Sequence, residues 1–430
     1  MLNWLLTMQI DTGTFLIPID ILAVVLMVYL LVRIPLRSWI PRVAAALVLG
    51  ALLGLLVSWL VSDVWNVFGL PLTLVTRLWF SAAIAALSLV IVNLWGTNWW
   101  RKTIALVSIP VILVSTAAAI NVDFGEYRNL QDALGISPYG PMDVSRLSGR
   151  AGAMDPAIGR TWQAPPGMPT RGTVGTVTIP GTTSGFAARA ALVYLPPAAL
   201  GPNPPVLPVL VMFAGQPGSP AAVFTAGRLA STMDAYAASH NGLAPIVVAP
   251  DQLGRANQNP MCVDSPLGNS ETYLTRDVPK WIRSHLRVSD DPRYWAVGGF
   301  SQGGTCSIQL GAGHPEVFRS ILDISGEAEP TIGSTTVARA FGGSTAAYDA
   351  VKPVNVLAAR APYADTVAIF GVGALDAKYQ KNQRLVRAAA DRSGMVSKLI
   401  EAPNSAHDWT TVRYVIAEAL PELAARLGLE

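Results

Sequence analysis

Tyr294-Trp-Ala-Val-Gly-Gly-Phe-Ser-Gln-Gly-Gly-Thr305 is the stretch on which the reading of this 430-residue chain turns. A short apolar run ends in Gly299-Phe300-Ser301-Gln302-Gly303, and small residues then open a helical pattern that runs to 314. A serine on a sharp strand-to-helix turn needs small residues two before and two after it, because only then can the backbone bend tightly enough for the hydroxyl to project above a sheet. A bare Gly-X-Ser-X-Gly carries little weight among 37 glycines, but one placed between a strand and a helix carries much. Outward from it, short apolar runs predict strands at 173–179, 189–195, 206–213, 246–249, 294–297, 320–324, 366–370 and 397–400, and helical patterns lie at 221–239, 271–286, 302–314, 378–393 and 410–427. This alternation predicts an α/β domain over 173–430, a mostly parallel sheet with helices on both faces. In such sheets the chemistry collects at the carboxyl ends of the strands.

A serine hydroxyl is a poor nucleophile near neutrality and needs a base, normally a histidine held by a carboxylate. The chain has four histidines. His240, His285 and His314 each close a helical segment, whereas His407 lies in Ala402-Pro-Asn-Ser-Ala-His-Asp-Trp409, between the last strand and the last helix. His407 is therefore the expected base. Asp376 follows the strand at 366–370 through Gly371-Val-Gly-Ala-Leu375, which completes the chain order Ser301, Asp376, His407. Asp323 is the alternative acid, while Asp408 should point away from its neighbour and Asp365 sits at the wrong end of its strand. Two backbone donors must receive the oxyanion. The Gln302 amide is one, and Gly215 or Gln216, in Ala214-Gly-Gln-Pro-Gly218, supplies the other, because Pro217 has no N–H.

The first part of the chain belongs to another solvent. Overall 51% of residues are hydrophobic and 14% charged, well below the roughly 25% charged of an average soluble protein. Four apolar stretches, about 15–32, 43–62, 78–95 and 103–121, each approach the ~20 residues that cross a bilayer as a helix. Arg33, Arg37 and Arg42 follow the first, and Arg101 and Lys102 follow the third, so these loops are expected in the cytoplasm, with both the N-terminus and the α/β domain outside. Eight of the twelve tryptophans fall in this region, mostly near span ends. Asp20, inside the first span, is expected to reach water at the outer end or to pair with Arg77. The predicted organisation is a four-span plasma-membrane anchor at 1–121, a turn-rich linker at 122–172, including Ser137-Pro-Tyr-Gly-Pro141 and Ala164-Pro-Pro-Gly-Met-Pro169, and the α/β domain at 173–430.

Residues 122–430 hold 25 basic and 25 acidic side chains, which gives no electrostatic case for binding nucleic acid. No metal-ligand cluster, phosphate-binding glycine loop or dinucleotide fingerprint is present, so neither metal nor cofactor is expected. Cys262 and Cys306 both fall in the outward-facing domain, where a disulfide is the expectation and two buried thiols the alternative.

Glu271-Thr-Tyr-Leu-Thr-Arg-Asp-Val-Pro-Lys-Trp-Ile282, Ala296-Val-Gly-Gly-Phe-Ser-Gln-Gly-Gly304, His314-Pro-Glu-Val-Phe318 and His407-Asp-Trp409 together resemble the putative esterase family that includes esterase D and the mycolyltransferases. The resemblance spans roughly 205–425 and implies an α/β-hydrolase domain with Ser301 as nucleophile and His407 as base. The whole chain resembles the membrane-anchored esterases of actinobacteria. It is expected to hydrolyse carboxylic esters of envelope lipids or aminoacylated phospholipids through an acyl-enzyme, with lipid or small-molecule esters as its partners. Acyl transfer to a sugar or lipid hydroxyl is the alternative, and a non-catalytic scaffold a third reading. For an aminoacyl ester, Asp251, Asp264 or Glu271 could bind the ammonium, although each also reads as an ordinary loop or helix-cap acid.

Overall fold

Runs of Leu, Val, Ile and Ala with few charges favour helix, the conformation in which a backbone in lipid satisfies its own hydrogen bonds. In the computed structural model, which describes residues 2–34, 36–65, 72–143, 149–201 and 203–430, the N-terminal runs form α1 (Gly13–Leu31), α2 (Leu36–Trp59), α3 (Leu74–Asn93) and α4 (Trp99–Phe124). All four helices are long and apolar enough to cross a membrane. Small residues let α2 and α3 approach closely: a Cβ added at Gly54 would lie 2.6 Å from Ser81 Cα, and one at Gly50 2.7 Å from Ala85 Cα. Asp20 does not pair with Arg77. It accepts a hydrogen bond from Ser115 Oγ at 2.6 Å, whereas Arg77 reaches Asp63 at 2.7 Å, a carboxylate nearer to it along the chain.

The chain divides into units at 1–136 and 137–430. Of the stretch expected to be linker, 144–148 lies outside the described residues, and part of the remainder is packed chain. Pro141 bridges to Thr176, Gly152 bridges to Ser289, and Met154 and Ile158 are buried in the core of the second unit.

That core is built on one sheet of β1 (Thr173–Val177), β2 (Ala191–Leu195), β3 (Val209–Phe213), β4 (Ile246–Ala249), β5 (Trp295–Phe300), β6 (Ser320–Ile324), β7 (Val367–Gly373) and β8 (Val396–Ala402). The order is β1-β2-β4-β3-β5-β6-β7-β8, with β2 antiparallel to both neighbours and the rest parallel. Strands β2 to β6 are buried along their whole length, as a sheet covered on both faces requires. Its helices are α5 (Leu229–Ser239), α6 (Val278–His285), α7 (Gln302–Gly313), α8 (Pro353–Arg360), α9 (Ala377–Arg392) and α10 (Trp409–Arg426). Helix α7 packs on β5 and β6, α9 on β7 and β8, with α8 between them, while α10 packs on β7 and β8 and against α5.

Every expected strand is present, 246–249 and 320–324 with the expected bounds and the other six with shifted ends. The single helix expected at 221–239 is instead a 3-10 turn at Pro220–Val223 followed by α5. Arg228 between them has φ +52°, and a Cβ at Gly227 would lie 2.4 Å from the Val223 carbonyl oxygen. Helix α8 and the short helices Thr336–Ala340 and Thr345–Ala350 were not anticipated.

Candidate active site

Ser301 sits at the junction of β5 and α7 with φ 57° and ψ −117°, a conformation that L-residues avoid at a cost of order 1–3 kcal/mol. The surroundings hold it there. Its N–H donates to the Ile324 carbonyl at the end of β6 at 2.8 Å. A Cβ at Gly299 would lie 2.2 Å from the Gly303 carbonyl oxygen, and one at Gly303 would lie 2.4 Å from that of Ala214, so neither position tolerates a side chain.

His407, in the loop between β8 and α10, places Nε2 2.8 Å from Ser301 Oγ. Its Nδ1 lies 3.1 Å from Asp376 Oδ2, and the side chains of both residues are less than 10% exposed. Asp376 follows β7 and caps α9: its other oxygen accepts from Tyr379 N at 3.2 Å. The alternative acid is elsewhere. Asp323 is fully buried, accepts from Gly326 N at 2.9 Å and adjoins Gln383, and burial pushes its carboxyl up to about 7. Asp408 turns away from the imidazole to accept from Ala406 N and Thr411 N, and Asp365 pairs with Arg426. His240, His285 and His314 are engaged at helix ends, the first two with Tyr236 O and Trp281 O, the third with Glu271 and Glu316.

The anticipated oxyanion donors flank the serine. The Gln302 N–H belongs to the first turn of α7, where no intrahelical acceptor exists. A Cβ on Gly215 would fall 3.4 Å from Ser301 Cβ, so this backbone passes directly beside Ser301. Gln216 lies next along it, its side chain donating to Asn257 O at 3.4 Å. Gln252 Nε2 ties the two sides together, donating to Ala214 O at 2.6 Å and to Gln302 Oε1 at 3.1 Å.

Residues 187–414 match the family described as Putative esterase. A protein of Corynebacterium glutamicum, described as uncharacterized, is 34% identical over 400 residues, covering 89% of this chain and 90% of its own. The chain belongs to the putative esterase family. The activity that this family's description names is that of an esterase. Among solved structures, a ferulic acid esterase is 19% identical with TM-score 0.51, covering 60% of this chain and 99% of its own. The S-formylglutathione hydrolase of Agrobacterium tumefaciens is 20% identical with TM-score 0.50, covering 60% and 97%. Both share the α/β-hydrolase fold.

In this esterase the three acids considered for an ammonium each have other partners. Asp251 is fully buried and takes Arg189 N, Nε and Nη2 at 2.7, 3.0 and 2.7 Å. Arg189 Nη1 in turn donates to the Gly218 carbonyl at 3.0 Å, so this ion pair braces the 214–218 loop. Glu271 pairs with His314 at 2.8 Å, at the end of α7 opposite Ser301, roughly 18 Å away along a helix of this length. Asp264 accepts from Thr272 N at 2.9 Å and Thr272 Oγ1 at 2.5 Å, a local cap. Cys262 and Cys306 form a disulfide, with Cα atoms 5.5 Å apart. Gln302 Nε2 lies 3.2 Å from Cys306 Sγ and donates to Asn259 Oδ1 at 3.0 Å, so the bridge and the elbow share one polar network.

Sequence reasoning missed the aromatic enclosure of the imidazole. Phe300 lies 4.8 Å and Tyr379 3.9 Å from the His407 ring, centroid to centroid. Phe300 was visible as the variable residue before the serine. Tyr379 was marked only by standing one helical turn after the acid. Glu327, close to Tyr379, is also shifted by burial, to about 7.

Proposed function

We propose that this protein is a membrane-anchored serine esterase in which Ser301, His407 and Asp376 act as nucleophile, base and orienting acid. The observation that carries the reading is the unbroken hydrogen-bonded series Ser301 Oγ, His407, Asp376, at 2.8 and 3.1 Å. As Ser301 Oγ bonds to the ester carbonyl carbon, its proton passes to His407 Nε2. The carbonyl oxygen becomes an oxyanion received by the Gln302 amide and that of Gly215 or Gln216, donors of a kind worth about 2.7–4 kcal/mol each. The alcohol leaves with the proton from His407. Water, deprotonated by the same imidazole, then attacks the acyl-enzyme and restores the serine.

Four membrane-spanning helices keep the enzyme at a bilayer surface, where lipid-borne esters reach a high local concentration. The disulfide suits an oxidising compartment, which agrees with a catalytic domain outside the plasma membrane, the side indicated by the basic loops. Esters of envelope lipids, aminoacylated phospholipids among them, are the substrate class we assign.

The test is to incubate purified full-length enzyme, wild type and Ser301→Ala, with extracted envelope lipids and to follow by mass spectrometry which ester disappears. Loss of one lipid ester with the wild type alone, with release of free acid, is the expected outcome. Predominant transfer of the acyl group to a sugar or lipid hydroxyl would make it an acyltransferase. Failure of a fluorophosphonate probe to label Ser301 would favour the scaffold reading.

A further inference from the structure

Two arginines of the first unit converge on one cleft with no acid to meet them. Arg33, just past the end of α1, donates from Nη1 to Trp95 O at 3.4 Å and from Nη2 to Gly96 O, in the turn between α3 and α4. Arg101, in the first turn of α4, donates from Nε to Asn93 Oδ1 at 2.6 Å and from Nη2 to two carbonyls in the last turn of α1, Tyr29 O at 3.1 Å and Leu30 O at 2.8 Å. Both guanidinium groups stand over the buried Trp39 ring, 5.0 and 5.7 Å from its centroid, and that ring is fixed by its Nε1–H, which donates to Leu31 O at 2.8 Å. With Thr97 and Asn98 the two arginines line a cavity of about 420 Å³. We propose that this cleft holds the phosphate of an anionic phospholipid, an inference that rests on the membrane-anchored reading and not on the triad.

The counter-charge must come from outside the chain. No Asp or Glu occurs between Asp20 and Asp63, or between Asp63 and Asp123. Those three are engaged elsewhere: Asp20 with Ser115, Asp63 with Arg77, and Asp123 with Thr73 and Thr76, roughly 33 Å along α4 from Arg101. Two like charges over one ring repel, the more so at the edge of a low-dielectric layer, and an anion between them removes that cost. The donors for it are in place. After the bonds above, Arg33 keeps its Nε–H and one N–H on each terminal nitrogen, and Arg101 keeps both N–H groups of Nη1, a set that suits phosphate oxygens. The surroundings favour a lipid as the source. Val32 and Ile34 of the lining are exposed, and so are Trp95, Trp99 and Trp100 beside it in the chain, apolar groups that suit acyl chains and the headgroup boundary. A zwitterionic headgroup would bring a quaternary ammonium up against two guanidinium groups, so the cleft selects lipids of net negative charge.

The test titrates full-length protein in neutral detergent with dioctanoyl phosphatidylglycerol, dioctanoyl phosphatidylcholine or inorganic phosphate, counting bound molecules by native mass spectrometry and recording the melting temperature. Phosphatidylglycerol should bind roughly ten-fold or more tightly than phosphatidylcholine, the factor that charge-assisted hydrogen bonds supply, and should raise the melting temperature; inorganic phosphate should not displace it. Arg33→Gln and Arg101→Gln should each lose that preference. Arg101 also ties α4 to α1, so Ile34→Glu, which sets a carboxylate at the cavity and leaves both arginines in place, is the second variant and should lose it as well. Arg37→Gln and Lys102→Gln remove the same charge outside the cavity lining and should change the affinity by less than about two-fold. Equal losses in those two variants would reveal a diffuse attraction of the basic loops and overturn the proposal. So would the absence of any preference for phosphatidylglycerol, or its displacement by millimolar inorganic phosphate, which would make the cleft a site for soluble phosphate. If alkaline carbonate extracts the chain from its membranes, the membrane reading itself has failed and the lipid site falls with it, a result distinct from all of these.

Discussion

The Asp376 carboxylate serves two partners at once, the imidazole through one oxygen and the start of α9 through the other. An asparagine can keep the second bond, since its amide oxygen still accepts from Tyr379 N, but its NH2 would face His407 Nδ1 and favour the wrong tautomer. Asp376→Asn should therefore retain its melting temperature within about 1 °C per few tenths of a kcal/mol while kcat falls by roughly 10⁴-fold, the loss known for such a change in serine proteases. Steady-state kinetics beside a thermal melt checks both halves. Asp323 offers a different test. Below its ordinary value of 3.8 the group is protonated in folded and unfolded chains alike and costs nothing. As pH rises the unfolded carboxyl ionises while the folded one holds its proton to about 7, so stability is lost progressively across that window and the loss is complete above it. Asp323→Asn, which can still accept from Gly326 N, should raise the melting temperature by at least roughly 2–4 °C at pH 8 and by little at pH 4. At this scale the proposed trio of Ser301, Asp376 and His407 could be put forward from the sequence because each follows a strand in a fixed chain order. The burial of Asp251 was not visible, because its partner Arg189 lies 62 residues upstream and nothing local marks a loop aspartate as buried.

Among the elements, the tightest requirement is where α7 crosses the end of β3. Gly303→Ala would put a methyl group 2.4 Å from Ala214 O and 2.7 Å from Phe213 Cβ, both backbone-fixed positions. The helix must move away from the strand, at about 1–3 kcal/mol for overpacking, and the two proposed oxyanion donors move apart with it. The expected result is a lowered melting temperature together with a fall in ester turnover per labelled serine. The strands were readable because apolar runs this short and rich in Val, Ile and Phe have few alternatives to a buried sheet. Helix α8 was not, since its eight residues, Pro353–Arg360, give too few turns for a periodic signal. The break before α5 was hidden for another reason: it depends on an arginine in left-handed backbone, which side-chain type does not announce.

Over the whole molecule, two units share one chain, and the first carries the four long apolar helices. The second unit adds a covalent tie between the loop around Pro260 and α7, the helix that follows Ser301. Closing an interval of 44 residues contributes about 4 kcal/mol in the chain-entropy model, so Cys262→Ser with Cys306→Ser should shift the denaturation midpoint of that unit by a corresponding amount. Urea titration followed by loss of fluorophosphonate labelling measures it, with reductant on the wild type as the parallel case. The connecting stretch was less legible, because Met154 and Ile158 are two isolated apolar residues among turn formers, and only the assembled sheet domain offers them a place to bury.

Ser301 has a consequence for how this enzyme can be handled. Its φ of 57° is open to glycine at no steric cost, so exchanging the hydroxymethyl group for hydrogen both silences the chemistry and releases backbone tension. Ser301→Gly should melt above Ser301→Ala, which keeps a Cβ in the same bent backbone. The inactivated form most useful for capturing an uncleaved ester is then also the more robust one.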